Sequence, residues 1–461
     1  MKKIFTDKKF FAIILTLLIP ITLQNLVTSS LNMVDNLMIG RLGEGAIAAV
    51  GLVNQYFFIF NLCVLGINAG ASIFMSQFWG KKDILNIRKM LGLDLVFSML
   101  ISFIFFLLAF LSPQSIIGIF TKDSTVTSLG IQYIRIISIT FLLTSITQAY
   151  SAALRSIGMA RAPMFGSLIG LAINASLNWV FIFGHFGFPA MGVAGAAIAT
   201  SIARLVEMIF VVVAAYKSND VIPCKLKELI GFNFDFIKMY FKTSYSVIIN
   251  ELVWSLGLTT YSIIYAKIGI REVASMQIAN TINNLFMILC VGIASAAAIM
   301  VGNKIGAGEE EVAIDYATKL GVLAPITGFF TGIALWMASP YVVSLFKINP
   351  DTINTTITVL RMMAVFAPLR FFNVLVIVGV LRGGGDTTYS MLVQLGTIWC
   401  FAIPVGYIAA VYFKLPLEQV FFIICLEEVA KIGFEAKRLK SKKWIKNVVM
   451  DLDCQSMGIT A

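Results

Sequence analysis

About a dozen apolar windows, each roughly 20 residues or longer, recur along the chain, and no other feature constrains its fold as tightly. They lie at 10–39, 46–78, 88–111, 128–153, 162–184, 193–215, 240–266, 273–301, 318–339, 354–380, 388–412 and 417–436. At about 1.5 Å of rise per residue, each is long enough as a helix to cross the roughly 30 Å hydrocarbon layer of a bilayer. Hydrocarbon offers backbone amides no water, so such segments must pair their amides internally, which a helix does. Composition points the same way. Of 461 residues, 59% are hydrophobic and 13% charged, with a mean hydropathy of +0.89. An ordinary soluble domain is about 25% charged.

The net charge of +11 suggests nucleic acid at first sight. The placement of the basic residues argues for membrane topology instead. Counted over both terminal segments and the even-numbered connectors, 25 of the 35 Lys and Arg fall on one side, against six on the other: Arg41, Lys122, Lys267, Arg271, Lys347 and Lys414. Such a bias sets both termini in the cytoplasm. The lysines at 2, 3, 8 and 9 ahead of the first window mimic a signal peptide, but the window is too long and has no small-residue cleavage site. It reads as a retained first helix. The six cysteines (63, 224, 290, 400, 425 and 454) are scattered without a CxxC, and His185 is the single histidine. A disulfide framework, a zinc site and a histidine-based triad are therefore not supported.

Within the first window, Asn25, Thr28, Asn32 and Asp35 recur every three or four residues and share one stripe of a helix. A carboxylate on a spanning helix is unfavourable by about 2.5–3.5 kcal/mol unless it faces protein or water. The stripe is expected to line an internal cavity, with Asp35 as its ion site. The two halves also repeat. At an offset of 226, Gly43 meets Gly269, Asn54 meets Asn280, Gly66 meets Gly292, Gly80 meets Gly306 and Arg135 meets Arg361. Six spans per half give copies of like orientation, and such repeats place a substrate path between two lobes. The expected organisation is an N-lobe over 1–215, a cytoplasmic connector over 216–242, a C-lobe over 243–436 and a basic tail over 437–461. The fold class is all-α integral membrane, with twelve transmembrane helices in two pseudo-symmetric six-helix lobes.

Several runs carry a family resemblance: MVDNLMIGRLGEGAIAAVGLVNQ (33–55), the Gln77–Gly80 loop, ALRSIG (153–158), IFGHFGFPAMGVAGAAIAT (182–200) and VLRGGGDT (380–387). Together they resemble multidrug and toxic compound extrusion (MATE) transporters of the bacterial drug-exporting branch, over essentially the whole chain. The resemblance implies a twelve-helix antiporter that expels drug-like, often cationic, organic compounds against a sodium or proton gradient by alternating access. It further implies a multi-pass protein of a bacterial inner membrane, a monomer among membrane lipid. No enzymatic activity, cofactor or nucleic-acid partner is expected beyond the coupling ion.

The resemblance places a cation site at Asp35, Asn174, Asn178 and Thr200. Asn174 and Asn178 are four apart and share a helix face. Counted along their helices, the four residues sit roughly 7–15 Å inside one membrane face. A carboxylate, two amide carbonyls and a hydroxyl are hard oxygen ligands suited to a monovalent cation such as sodium. The competing reading is that the amides cross-link helices. In the second half, Glu251 is the other buried acid, and relatives carry a glutamate there too. Where they often add an acid on the tenth span, this chain has Arg370. Arg370 is therefore read as neutralising Glu251, with ligand and ion-pair roles both open. Gln277, Asn280, Thr281 and Asn284, with Asn32, are the remaining candidates for a substrate cavity. Arg204 with Glu207, and Glu427 and Glu428 with Lys431, read as structural ion pairs, and Asp94 as a gate or structural contact. The segment GNKIGAGE (302–309) lacks the ending and the preceding strand of a phosphate loop. The tail KRLKSKKWIKN (437–447) reads as a lipid-facing basic segment with Trp444 as interfacial anchor. The alternatives are a flippase for a lipid-linked or polysaccharide precursor, which calls for a basic cavity, and a membrane-embedded enzyme, which calls for a nucleophile–base or metal cluster.

Overall fold

The computed structural model describes residues 7–218, 220–346 and 349–450. Lys2, Lys3, Lys347, Cys454 and residues 451–461 of the tail, all used above, lie outside the described residues. Every regular element among the described residues is a helix. In chain order these are α1 (Lys8–Gly40), α2 (Glu44–Lys81), α3 (Ile84–Leu111), the short α4 (Pro113–Phe120), α5 (Ser124–Ile137), α6 (Ile139–Ser156), α7 (Arg161–Phe183) and α8 (Gly192–Lys217). After a single turn at Leu226–Leu229 come α9 (Phe234–Ile268), α10 (Ile270–Gly306), α11 (Glu310–Ser344), α12 (Pro350–Leu381), α13 (Thr387–Tyr412) and α14 (Leu417–Ser441).

Ten of these helices are long and apolar enough to cross a bilayer, and the bent pair α5–α6 makes an eleventh. The chain is thus an all-helical membrane protein. On α3, Leu100, Phe103 and Leu108 are about half exposed, an apolar outer face that suits lipid rather than water. The expected twelfth span, α14, has the length at 25 residues. It differs from the rest because Glu427, Glu428, Lys431 and Glu435 all lie on its buried face.

Local chemistry explains the main boundaries. Asp83 and Asp123 each start a helix by accepting a backbone N–H three residues on, from Asn86 at 3.1 Å and Val126 at 2.9 Å. The window expected as one helix over 128–153 is instead two helices meeting at 45° beside Ser138. There the Ser138 hydroxyl donates to the Arg135 carbonyl (2.7 Å) and the Thr140 hydroxyl to the Ile137 carbonyl (2.6 Å), and such local bonds bend helices.

The chain divides into two compact units. One holds Ile19–Trp79 and Asp83–Ser244, with a core in which Phe60 and Phe141 pack edge to face at 4.9 Å. The other takes in the described residues of Met1–Leu18, Gly80–Lys82 and Tyr245–Ala461, with a mainly aliphatic core around Val359, Leu360, Ile398 and Val420. The connector expected over 216–242 is already helical from Phe234. Its earlier part is anchored within the first unit by Arg88, whose guanidinium donates to the carbonyls of Val221 (2.8 Å) and Asp220 (2.9 Å) and pairs with Glu228 (3.2 Å).

The tail corrects an expectation. Trp444 is 1% exposed rather than interfacial, and its indole N–H donates to the Leu439 carbonyl at 3.3 Å. The segment folds back on the turn between α12 and α13, where Lys446 N–H donates to the Gly384 carbonyl (2.8 Å). Asp386 accepts ion pairs from Arg438 (2.7 Å) and Lys446 (2.6 Å). Charge pairing inside the protein thus claims basic groups that the sequence alone assigns to lipid.

Candidate ion-binding sites

In the first unit, α7 and α8 form an antiparallel hairpin. Its turn, 184–191, lies within the 182–200 run. Gly184 ends α7 in the left-handed region at φ +76°, where a side chain would be strained. Gly195 lets the start of α8 pass so close to α7 that an added Cβ would lie 2.5 Å from the Phe181 carbonyl oxygen. This close approach sets two polar stripes face to face. On α7, Ser167, Asn174 and Asn178 are spaced by seven and four residues, and on α8, Thr200, Arg204 and Glu207 by four and three.

Three of the four predicted N-lobe residues are buried and bonded to each other. Asn174 donates to the Thr200 hydroxyl (3.0 Å), and Asn178 donates both to the Asn174 carbonyl (3.0 Å) and to the Asp35 carboxylate on α1. Asn174 and Asn178 are fully buried and Asp35 half-buried. The Asn178 carbonyl oxygen has no hydrogen-bond partner. No Lys or Arg forms an ion pair with Asp35 among the described residues. The group therefore presents a carboxylate and a free buried carbonyl, both hard oxygen donors. No cluster of His, Cys, Asp and Glu fit for a metal occurs among the described residues. Of the α1 stripe, Thr28 and Asn32 are exposed, and Thr28 bonds its own helix at the Gln24 carbonyl (3.0 Å).

About two turns further along the same faces lies a network that sequence spacing did not assemble. Glu207 accepts from Arg204 (2.7 Å) and from Ser167 (2.8 Å), Gln24 donates to Ser167 (3.4 Å), and Arg155 donates to Gln24 (3.2 Å). Gly170 leaves the room that the Glu207 carboxylate occupies, 3.4 Å from where its Cβ would be. Arg204 and Glu207 pair as expected. Gln24 and Arg155 join them only because α1 and α6 cross the hairpin at that level. Asp94 on α3 is fully buried and accepts weakly from Ser98 at 3.4 Å, with its other oxygen unpartnered.

The second unit overturns one pairing. Glu251 on α9 is bound by Arg382 (2.7 Å) at the end of α12, and Arg370 pairs instead with Glu428 on α14 (3.3 Å). Arg370 lies about three turns before Arg382 on α12 and meets α14 rather than α9. Next to Glu251, Asn250 donates to Gln394 (3.1 Å). Gln277, Asn280, Thr281 and Asn284 lie on an exposed face of α10, and no hydrogen bond joins them to Glu251 among the described residues.

The richest polar group of this unit extends beyond the network of Glu427, Glu428 and Lys431 that spacing within α14 predicts. Lys431 does bridge Glu427 (3.2 Å) and Glu428 (3.6 Å). Asn373 also donates to Glu428 (2.7 Å), and the Tyr261 hydroxyl donates to Glu427 (2.8 Å). The signal available in the sequence was four charged residues, Glu427, Glu428, Lys431 and Glu435, at three- and four-residue spacing in the final window.

Known proteins share this fold. The MatE family model matches residues 20–180 and 246–408. The two matches begin 226 residues apart, the offset at which the halves of the sequence align. The chain is 24% identical over 451 residues to the uncharacterized transporter YisQ of Bacillus subtilis (strain 168), covering 95% of this chain and 96% of the relative. It is 25% identical over 442 residues to the probable multidrug resistance protein NorM of Thermotoga maritima, covering 95% and 94%. Among solved structures, MATE in the straight conformation matches with a TM-score of 0.82 at 21% identity, over 93% of this chain and 96% of that one. A mutant of the Vibrio cholerae MATE transporter VcmN matches with a TM-score of 0.85 at 16% identity, over 95% and 98%.

Proposed function

Because the chain belongs to the MatE family of membrane transporters, we propose that it exports drug-like organic compounds in exchange for a monovalent cation, sodium or a proton, bound at Asp35. Relatives named as probable multidrug resistance proteins support the substrate class. The observation that carries the coupling reading is the half-buried Asp35 carboxylate, tied to Asn178, Asn174 and Thr200 and set beside an unpartnered buried carbonyl. Sodium would take the carboxylate and the Asn178 carbonyl as ligands. A proton would neutralise the carboxylate and release it from its amide partner.

The ion drives transport to the extent that it binds one conformation more tightly than the other. The site draws on separate helices, α1 on one side and the α7–α8 hairpin on the other. Pro20 lies inside α1 with no N–H to give, and a proline there removes one rung of the helical ladder and kinks the helix. Binding at Asp35 would favour the bend of α1 that closes on Asn178. A solved MATE of the same fold exists in straight and bent conformations. Gln277, Asn280, Thr281, Asn284 and Asn32, all exposed side chains, are proposed to face the substrate path. The proposed setting is a bacterial inner membrane, with both termini cytoplasmic and the lobes over 1–215 and 243–436.

Gradient-driven efflux from proteoliposomes tests the site. Asp35→Asn is expected to reduce substrate efflux to background, and unimpaired efflux would refute the assignment. Efflux that persists without sodium and stops when the proton gradient is dissipated selects the proton.

A further inference from the structure

We propose that Glu435, on the buried face of α14, is a proton-binding site, separate from Asp35 and belonging to the other half of the molecule. The side chain is fully buried, and neither carboxylate oxygen has a hydrogen-bond partner. A buried ionised carboxylate left unpaired is strongly disfavoured, and taking a proton is the simplest way to remove its charge.

Charge balance along the helix supports this. Glu428, Lys431 and Glu435 are spaced by three and four residues and share one stripe with Glu427. The two cations of the group, the half-buried Arg370 and the buried Lys431, are bound to Glu427 and Glu428. They offset two carboxylates and leave the third. Other groups near Glu435 are committed elsewhere. Arg438, three residues on, donates to Asp386 (2.7 Å) and lies 4.4 Å from the centre of the Tyr389 ring. Tyr389, on α13, gives its hydroxyl to the Phe434 carbonyl (3.0 Å). The rest of α13 from Gly396 to Tyr412 contains no charged residue, and α12 faces the group with Arg370 and Asn373, both held by Glu428. A cation such as sodium would need several oxygen ligands around Glu435, whereas a proton needs only the carboxylate.

The position also gives the proton a way to leave. Lys431 stands four residues after Glu427 and four before Glu435, so its ammonium can reach either carboxylate. In the present arrangement it holds Glu427 and Glu428. If it swung to Glu435, the Glu435 O–H bond would break, the proton would pass to water at that end of α14, and the ammonium would pair with the carboxylate left behind. Tyr261 would remain to hold Glu427. A role for this proton in transport rests on the coupling reading above; its binding does not.

The test is infrared difference spectroscopy between acid and alkaline pH on the full-length protein in lipid, in the Asp35→Asn background. The expected result is a protonated-carboxyl band that Glu435→Gln removes, that Glu435→Asp retains at a shifted frequency, and that sodium leaves unchanged. A spectrum that Glu435→Gln does not alter overturns the proposal, as does a band that sodium abolishes at constant pH. Should Glu435→Gln not fold, the frequency shift in Glu435→Asp decides alone, and no shift overturns the assignment. Loss of efflux in Asp35→Asn with this band intact would separate the two sites.

Discussion

At the scale of single residues, several charges inside the helices are held by partners from distant parts of the chain. Glu251 and Arg382 illustrate this, with side chains 12% and 9% exposed and a 2.7 Å contact. Removing one member of a buried pair strands the other, at about 3–5 kcal/mol, while replacing both with apolar groups is often nearly neutral. Arg382→Met is therefore expected to lower thermal stability in detergent sharply, and Glu251→Gln with Arg382→Met to recover most of it. Equal losses in the single and double variants would refute the pairing. Asp7, just ahead of α1, gives a pH-dependent counterpart. Its carboxyl is held below the usual carboxylate range, chiefly by the hydrogen bond from Lys319 (2.6 Å) and next by the Phe10 amide. A depressed native value means that this stabilisation is complete above the unfolded value of about 3.9 and is lost as pH falls through the lower native one. Hydrogen exchange at the start of α1 should thus be insensitive to pH-induced unfolding near neutrality and loosen only in strong acid. Lys319→Met should loosen it at neutral pH.

At the scale of elements, the α7–α8 hairpin decides the geometry of the Asp35 group. Its turn brings Phe181 and Gly195 into backbone contact, which sets Asn178 and Asn174 opposite Thr200. Gly195→Ala would push a methyl group into the Phe181 carbonyl, and overpacking of this kind costs about 1–3 kcal/mol. The expected outcome is a less stable protein with weakened ion binding at Asp35. Gly51, with no atom within 4 Å of its would-be Cβ, is the control: Gly51→Ala should be neutral or slightly stabilising. The closing tail is a second element fixed by packing. Trp444 is buried under Gly384, where its ring lies 2.6 Å from a would-be Cβ. Trp444→Ala should release residues 442–450 from the turn between α12 and α13, read as faster proteolysis of the tail with the helical core intact.

At the scale of the whole molecule, the basic residues and the doubled family match bear on orientation and origin. With both termini proposed to be cytoplasmic, a cysteine at Lys122 should react with an impermeant thiol reagent added outside intact cells. One at Lys443 should react only after permeabilisation. Both sites are exposed, so the reverse pattern would invert the topology. The offset of 226 residues seen in Gly43 and Gly269 reappears in the two family matches. The halves nevertheless carry different chemistry. Asp35 aligns with Tyr261, and Tyr261 serves Glu427 on α14 as a hydrogen-bond donor.

The amino-acid sequence by itself determined the class of the protein, its repeat and the residues of the Asp35 group. The physical reason is that hydrocarbon allows only long apolar helices, and a polar residue on such a helix stands out by its spacing. The sequence also singled out Glu251, Arg370, Glu427, Glu428 and Lys431 as charged residues in apolar windows. Only the tertiary structure decided which of them pair, because an ion pair depends on where two helices cross and not on the distance between residues along the chain. Arg370 therefore reached Glu428 instead of Glu251. Trp444 turned inward for a similar reason, since Asp386 holds the tail against the protein through Arg438 and Lys446. Glu435 was left without a partner because the cations within its reach were already bound.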